Sequence, residues 1–295
     1  MPNRSKTGAI APAVNAWYER TKRDLPWRAD GYPAWGILVS EIMLQQTPVA
    51  RVIPRLDDWL TRWPTPAALA AASPGDAVRA WERLGYPRRA LNLHAAAVAI
   101  TEKHSGVVPS DVNDLLALPG IGAYTARAVA AFAYGARHPV VDTNVRRVLA
   151  RAIDGEGAAG PPSTRRDLEA MDAQLPLDPA EARVFNAAVM ELGAVVCTAR
   201  APHCDGCPIA DRCAWRAAGY PEYEGARRPT QKKYEGSDRQ VRGILLGALR
   251  ARQGSLDATE LDELWPDALQ RGRALDGLLS DGLIVGTPAT GYALP

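Results

Sequence analysis

Residues 118–125 read Leu118-Pro119-Gly120-Ile121-Gly122-Ala123-Tyr124-Thr125, between two helix-forming segments, Asp111 to Leu118 and Tyr124 to Tyr134. Gly120 and Gly122 let the backbone turn tightly and leave N–H groups exposed where the second helix begins. The start of a helix carries unsatisfied donors and partial positive charge, so it favours an anion such as a phosphate. A tight turn between two helices needs the same glycines without any ligand. The stretch therefore defines a helix–turn–helix unit and leaves its use open.

The same texture extends outward in both directions. Ala9 to Arg23 reads as one amphipathic helix, ended by the turn at Leu25 to Trp27. Pro33 opens a helix to about Gln46, and Pro48 opens the next, with Val52, Leu56 and Trp59 at helical spacing. Pro74 to Leu84 and Arg88 to His104 follow, then Asn144 to Ile153, Arg165 to Leu175 and Pro179 to Val196. Strand signals are nearly absent, so the body is expected to be all-α.

Residues 221–236 (PEYEGARRPTQKKYEG) are polar, basic and rich in Pro and Gly, as a linker would be. Beyond them Val241, Ile244, Leu245, Ala248 and Leu249 mark a first helix, Thr259 caps a second through about Trp265, and Leu269 to Leu279 makes a third. Asp281-Gly282 then turns the chain into Leu283 to Val285, which can pair with Gly291 to Leu294. Three helices and a hairpin make a small α+β module resembling a winged helix. It can bind DNA through Arg271 and Arg273, or simply pack on its neighbour.

With 295 residues, 47% hydrophobic and 23% charged, the chain has the composition of a soluble globular protein. No apolar run reaches the roughly 18 residues of a membrane span, and MPNRSKTGAIAPAVNAW lacks the apolar core of a secretory signal. A cytoplasmic monomer is expected. The net charge of +2 says little, but Arg79, Arg83, Arg88 and Arg89 cluster, as do Arg146, Arg147 and Arg151, and Arg227, Arg228, Lys232 and Lys233. Such clusters suit phosphate contacts or form solvated helix faces.

Three further segments carry chemistry. All four cysteines lie in Cys197-x6-Cys204-x2-Cys207-x5-Cys213. Four thiolates in so short a span suit a tetrahedral zinc or an iron–sulfur cluster, and spacing alone does not choose. Arg200 and His203 add positive charge to that loop. Asp142, in Pro139 to Arg147 (PVVDTNVRR), stands just before a helix as an N-cap would. A carboxylate so held is expected to stay ionised and can stabilise a developing cation or attack it. Glu41, finally, lies among Ile37, Leu38, Val39, Ile42, Met43 and Leu44, although glutamate is rarely buried without a partner.

Together these segments resemble the MutY-type adenine DNA glycosylases of the helix-hairpin-helix base-excision superfamily. The resemblance covers about residues 9–220 and rests on the cysteine spacing, on SEIMLQQT (Ser40 to Thr47), LPGIGAYT and VVDTNVRRV, with LPWR (Leu25 to Arg28) and LGY (Leu84 to Tyr86). It implies a two-lobed helical glycosylase with one four-iron, four-sulfur cluster on Cys197, Cys204, Cys207 and Cys213, and no nucleotide cofactor. The implied domains are an N-terminal helix at 1–30 joining the cluster domain, a six-helix barrel with the helix-hairpin-helix at 31–138, and a cluster domain at 139–220. The linker at 221–236 and the winged-helix-like module at 237–295 follow.

The resemblance also assigns roles. Glu41 would protonate adenine so that it can leave. A free glutamate, with a pKa of about 4.3, is protonated about once in 500 at pH 7, and raising that pKa by about 2 would make the acid form roughly 100-fold more frequent. Asp142 would stabilise or attack the sugar cation, Tyr124 would orient Asp142 or the sugar, and Asn144 would hold water or the sugar beside Asp142. Tyr86 would wedge beside the damaged guanine, Leu44 and Gln46 would fill the vacated stack, and Trp27 and Arg28 would edge the adenine pocket. Gln45, Thr47, Gly120, Gly122, Ala123, Arg146 and Glu191 complete the implied DNA- and base-binding set.

The implied substrate is double-stranded DNA with adenine mispaired with 8-oxoguanine or guanine. Tyr124 stands where the related endonuclease III type has its strand-cleaving lysine, implying a monofunctional enzyme. The C-terminal stretch is too short for the family's Nudix-like domain. The alternatives are a thymine or uracil mismatch glycosylase of the same superfamily and a non-catalytic iron–sulfur DNA-binding regulator.

Overall fold

The computed structural model describes residues 10–225 and 233–295, so Arg227, Arg228 and Lys232 lie outside the described residues. In chain order the helices are α1 (Ala11–Thr21), α2 (Ala34–Leu44), α3 (Val49–Arg62), α4 (Pro66–Ala70), α5 (Pro74–Ala80), α6 (Arg88–Lys103), α7 (Val112–Leu116) and α8 (Ala123–Tyr134). They continue with α9 (Thr143–Leu149), α10 (Thr164–Asp172), α11 (Pro179–Val195), α12 (Ala214–Ala217), α13 (Asp238–Ala251), α14 (Ala258–Leu264) and α15 (Ala268–Ser280). Strands β1 (Val285–Thr287) and β2 (Gly291–Ala293) pair antiparallel, Gly286 opposite Tyr292. No described helix is long and apolar enough to cross a membrane.

The chain divides into two units. The first takes the described residues of Met1–Asp30 and Ala123–Pro229. Its core gathers Trp17 and Tyr18 of α1, Val145 and Val148 of α9, Met171 of α10 and Phe185 of α11. The second takes Gly31–Gly122 and the described residues of Thr230–Pro295. Trp59 is fully buried there, edge-on to Trp63 at 4.6 Å and to Trp81 at 5.5 Å. Such T-shaped contacts suit the ring quadrupole.

Side-chain caps place many helix starts. Thr65, Ser73, Asp111, Asp142, Asp178 and Asp267 each accept a backbone N–H from the first turn that follows. The cap of α14 is Asp257, not Thr259: Asp257 and Glu260 close a reciprocal capping box two residues earlier. The terminal hairpin is also displaced. Leu283 and Ile284 are buried in the module core, so pairing begins only at Val285. Leu256 bridges Tyr292 on the hairpin's other side.

Within the second unit the C-terminal module packs on α5. Two of its arginines are engaged within the module. Arg271 is buried, pairs with Asp262 and donates to the Trp265 carbonyl, and Arg273 pairs with Asp238 at 3.2 Å. The packing role is supplied by contacts with α5.

Candidate functional site

Asp142 is delivered by an extended segment, and a buried amide holds that segment. Asn186 of α11 is fully buried; its Oδ1 accepts from the Val140 N–H at 2.9 Å, and its Nδ2 donates to the His138 and Ala182 carbonyls. Val140 packs with Ala128 and Ala131 of α8, and Tyr124 lies against the same cluster. The first unit thus brings Tyr124 and Asp142 onto neighbouring structure. Asn186 escaped the sequence reading because its acceptors lie up to 48 residues away.

Asp142 caps α9, its Oδ1 accepting from the Val145 N–H at 2.7 Å, while Asn144 Nδ2 donates to Oδ2 at 2.8 Å. Arg147 donates to Asn144 Oδ1 and so fixes which way the amide faces; it also reaches the Gly193 and Cys197 carbonyls. A Cβ at Gly193 would stand 2.7 Å from that of Asn144, so glycine is what lets α9 approach α11. Two opposing influences set the Asp142 charge. Burial pushes its carboxyl above the ordinary range, outweighing the hydrogen bonds from Val145 and Asn144 and the nearby Arg147 charge.

Other predicted site residues here are engaged in ion pairs. Arg146, expected on DNA, is paired with Asp167 at 2.8 Å and donates to the Gly160 carbonyl. Glu191 is buried and takes Arg23 through both carboxylate oxygens, at 2.7 Å each, and Arg28 at 2.8 Å. Burial alone would raise the Glu191 pKa, but these hydrogen bonds win and hold it at about 2. Glu191 lies inside an ion pair, while Trp27 beside Arg28 is half-buried in the 3-10 turn Pro26–Arg28.

The four cysteines line one pocket with Val148, Leu192, Ile209 and Trp215. Among the described residues no three His, Cys, Asp or Glu side chains converge as ligands of a single metal ion would. The thiols stand around the pocket rather than on a point. Arg151 is buried beside them: it donates to Cys197 Sγ at 3.5 Å and to the Thr198 and Ala199 carbonyls, and stacks on Trp215 at 4.5 Å. Burial pushes the Cys207 thiol up to about 11, and a bound metal group would draw off that proton. Soft sulfur donors with a guanidinium against them fit an anionic iron–sulfur centre. Arg200 and His203 are exposed on the same loop.

In the second unit Glu41 lies on α2, a helix buried from Trp35 to Met43, and is itself 5% exposed. α2 ends at Leu44 and the chain runs on through Gln45, exposed Gln46 at φ 57° and buried Thr47. The neighbouring turn carries Gly85 at φ 85° and Tyr86 at φ 47°, with the Tyr86 ring 52% exposed. Buried Arg89 joins the two. Its Nη1 donates to the Ile42, Met43 and Gln45 carbonyls and its Nη2 to Thr47 Oγ1 and the Gly85 carbonyl. Arg89 is thus neither a phosphate contact nor part of a solvated helix face: it caps α2, whose last carbonyls would otherwise lack donors.

Gly120 adopts φ 74°, and a Cβ there would stand 2.5 Å from that of Asn92. Gly122, exposed just before α8, would meet nothing within 4 Å, and Ala123 begins the helix.

The glycine turn and the capped aspartate fall within the match to a family of base-excision DNA repair proteins, and the four-cysteine loop within the match to an iron-sulfur domain. The model of the HhH-GPD superfamily, base excision DNA repair proteins, matches residues 39–171, and that of the iron-sulfur binding domain of endonuclease III matches 197–213. An adenine DNA glycosylase of Mycobacterium tuberculosis (strain CDC 1551 / Oshkosh) is 56% identical over 95% of this chain and 91% of its own. One from Mycolicibacterium smegmatis is 55% identical over 97% of this chain and 96% of its own, a match that necessarily takes in the C-terminal module. A solved thermostable thymine-DNA glycosylase superposes with TM-score 0.65 at 25% identity, covering 71% of this chain and 95% of that one. The chain belongs to the adenine DNA glycosylase family.

Proposed function

We propose that this base-excision repair glycosylase hydrolyses the N-glycosidic bond of adenine mispaired with 8-oxoguanine or guanine in duplex DNA, acting as a cytoplasmic monomer. The observation that carries the reading is Glu41, a carboxyl buried on the apolar helix α2. Apolar surroundings favour a neutral carboxyl, the form able to give a proton to the departing base. Asp142, once ionised, stabilises or attacks the sugar cation, a division of labour between two carboxyls also used in glycoside hydrolysis. Asn144 holds Asp142 Oδ2 and Tyr124 packs beside the segment that delivers it.

Leaving the duplex costs the adenine a few kcal/mol of stacking and pairing. Exposed Gln46 and Tyr86 are the groups that fill and wedge the gap, with Leu44 behind them. The N–H groups before α8, at Gly122 and Ala123, take a phosphate. Cys197, Cys204, Cys207 and Cys213 would hold one four-iron, four-sulfur cluster, which would order their loop, where Arg200 is exposed. Tyr124 stands where the related endonuclease III type has its lysine and no lysine lies in the glycosylase motifs, so little or no strand cleavage is expected.

The test is excision from duplexes carrying A opposite G, A opposite 8-oxoguanine, T opposite G and U opposite G. Adenine release from the first two, lost in Glu41→Gln with duplex binding retained, is expected. Release of thymine or uracil instead would make the chain a pyrimidine mismatch enzyme. Iron and acid-labile sulfide in the purified protein test the cluster against zinc, and borohydride trapping on DNA tests the absence of lyase chemistry.

A further inference from the structure

The C-terminal module has no role in the reading above, and its chemistry argues against DNA. Residues 237–295 hold six arginines against eight carboxylates. Arg242, Arg252, Arg271 and Arg273 are each paired with a carboxylate of the module itself. A remaining arginine, Arg250, points elsewhere.

Arg250 of α13 donates to the Val78 carbonyl at 2.8 Å and to the Glu82 carbonyl, acceptors at the C-terminal end of α5. Arg79 of α5 returns the contact, donating to the Arg250 and Arg252 carbonyls at 3.1 and 2.9 Å, where α13 ends. Each helix thus caps the other's last turn. The other end of α5 is held as well: the Gly75 N–H donates to the Pro295 oxygen at 2.6 Å. A Cβ on Gly75 would stand 2.4 Å from that oxygen and 3.1 Å from Leu294 Cβ, so the docking requires glycine there. Beyond the turn, Arg88 pairs with Asp281 at 3.5 Å, and Arg242 holds the same carboxylate.

These contacts bracket one short stretch. Residues 81–87 leave α5, pass through Glu82 at φ 44° and Gly85 at φ 85°, expose Tyr86 at φ 47°, and enter α6. Left-handed conformations at non-glycine residues persist only where the surroundings impose them. The module supplies donors or acceptors at Gly75, Val78, Arg79, Glu82 and Arg88.

We infer that the C-terminal module is a brace for the Tyr86 turn: by capping both ends of α5 and pairing with Arg88, it sets how that tyrosine is presented to the strand opposite the adenine. The inference rests on the wedge role given to Tyr86 above. It makes Arg250 a positioning residue that acts without touching DNA.

The experiment uses the full chain. Gly75→Ala obstructs the docking from one end of α5 and Arg250→Met uncaps the other, while Gly247→Ala on α13 fills open space and serves as control. Each variant is compared with wild type in single-turnover release of adenine opposite 8-oxoguanine and opposite guanine, and again in a Tyr86→Ala background. Far-ultraviolet dichroism and the visible absorbance of the cluster report that the rest of the chain is folded.

The expected result is a loss of about tenfold opposite 8-oxoguanine in either variant, with a changed ratio between the two substrates and no change in the control. In the Tyr86→Ala background the same substitutions should cost nothing further. Rates and ratios like wild type in Arg250→Met would overturn the inference, as would an equal loss with and without Tyr86. A wild-type chain that released no adenine from either duplex would instead sink the proposed function, so the two failures are distinguishable.

Discussion

Asn144 Nδ2 lies 2.8 Å from Asp142 Oδ2, and Arg147 holds the far side of the same amide while also reaching the Cys197 carbonyl. A continuous run of hydrogen bonds therefore links the candidate catalytic carboxylate to the first residue of the cysteine loop. The stabiliser of a sugar cation has to be ionised, yet burial opposes ionisation at this position. Asn144 is one of the groups that offset it.

The first prediction follows from that balance. Because burial raises the Asp142 pKa, the acidic limb of single-turnover excision should lie above the ordinary aspartate value. Asn144→Leu removes a donor to the charged form and should move that limb up by a further ~0.7 pH, the equivalent of about 1 kcal/mol. A pH–rate profile of the two proteins measures it. For stability the sign is the opposite of the usual carboxylate case: the folded state binds the Asp142 proton more tightly, so this contribution is present at low pH and lost as pH rises through the folded pKa. Asp142→Asn keeps an N-cap acceptor, should abolish excision, and should raise the urea midpoint at pH 7.

The two glycines of the turn separate structure from ligand. Gly120→Ala places a methyl group into Asn92 at a φ that side chains avoid and should destabilise the protein by about 2 kcal/mol. Gly122→Ala meets nothing in the protein and should leave the denaturation midpoint within about 0.5 kcal/mol. If a phosphate sits against that N–H, the added methyl should nonetheless weaken duplex binding severalfold. Equal duplex affinity for wild type and Gly122→Ala would remove the phosphate from this position.

Local signals explain what the sequence disclosed and what it hid. Helix spans were readable because capping residues such as Ser73 and Asp178 act within three residues of themselves. The cysteine loop and the carboxylate set in the apolar run at Glu41 were readable for the same reason of proximity. Thr259 has the side chain of a cap, yet Asp257 is the cap, because the reciprocal bond with Glu260 is made there. The arginines were hidden because their acceptors are distant backbone carbonyls: Arg89 serves Ile42 and Gln45, Arg151 serves Thr198, and Arg250 serves Val78, 172 residues away. Charge clustering in sequence suggests phosphate, whereas here the guanidinium groups mostly cap helix ends and loops.

Glu191 yields a prediction about acid stability. Its folded pKa of about 2 lies below the ordinary 4.5, so its stabilisation is complete above the unfolded value and disappears as pH falls from about 4.5 to 2. The difference corresponds to at most about 3 kcal/mol, reduced by solvent at Arg23, whose side chain is 41% exposed. Glu191→Gln should therefore lower the urea midpoint at pH 7 and lose most of its disadvantage by pH 2.5. A gap between the two proteins that stayed constant across that range would show that the ion pair is not the source.

Arg89 carries the last prediction. Its guanidinium satisfies carbonyls at the end of α2, Thr47 Oγ1 and the Gly85 carbonyl, all in the buried space between the Gln46 and Tyr86 loops. Arg89→Met keeps the aliphatic stem but leaves several buried acceptors without donors, each costing about 1–3 kcal/mol. Partial relaxation and water entry should bring the net loss to roughly 3–4 kcal/mol. Arg89→Lys retains the charge but cannot span both loops, because an ammonium lacks the planar fork of guanidinium. It should recover part of the stability while leaving the Gln46 and Tyr86 loops uncoupled. Hydrogen exchange at residues 45–47 and 84–86 distinguishes the cases: in Arg89→Lys both loops should exchange faster while α3 and the middle of α6 keep wild-type protection. Wild-type protection of both loops in that variant would show that they are held by something other than the guanidinium.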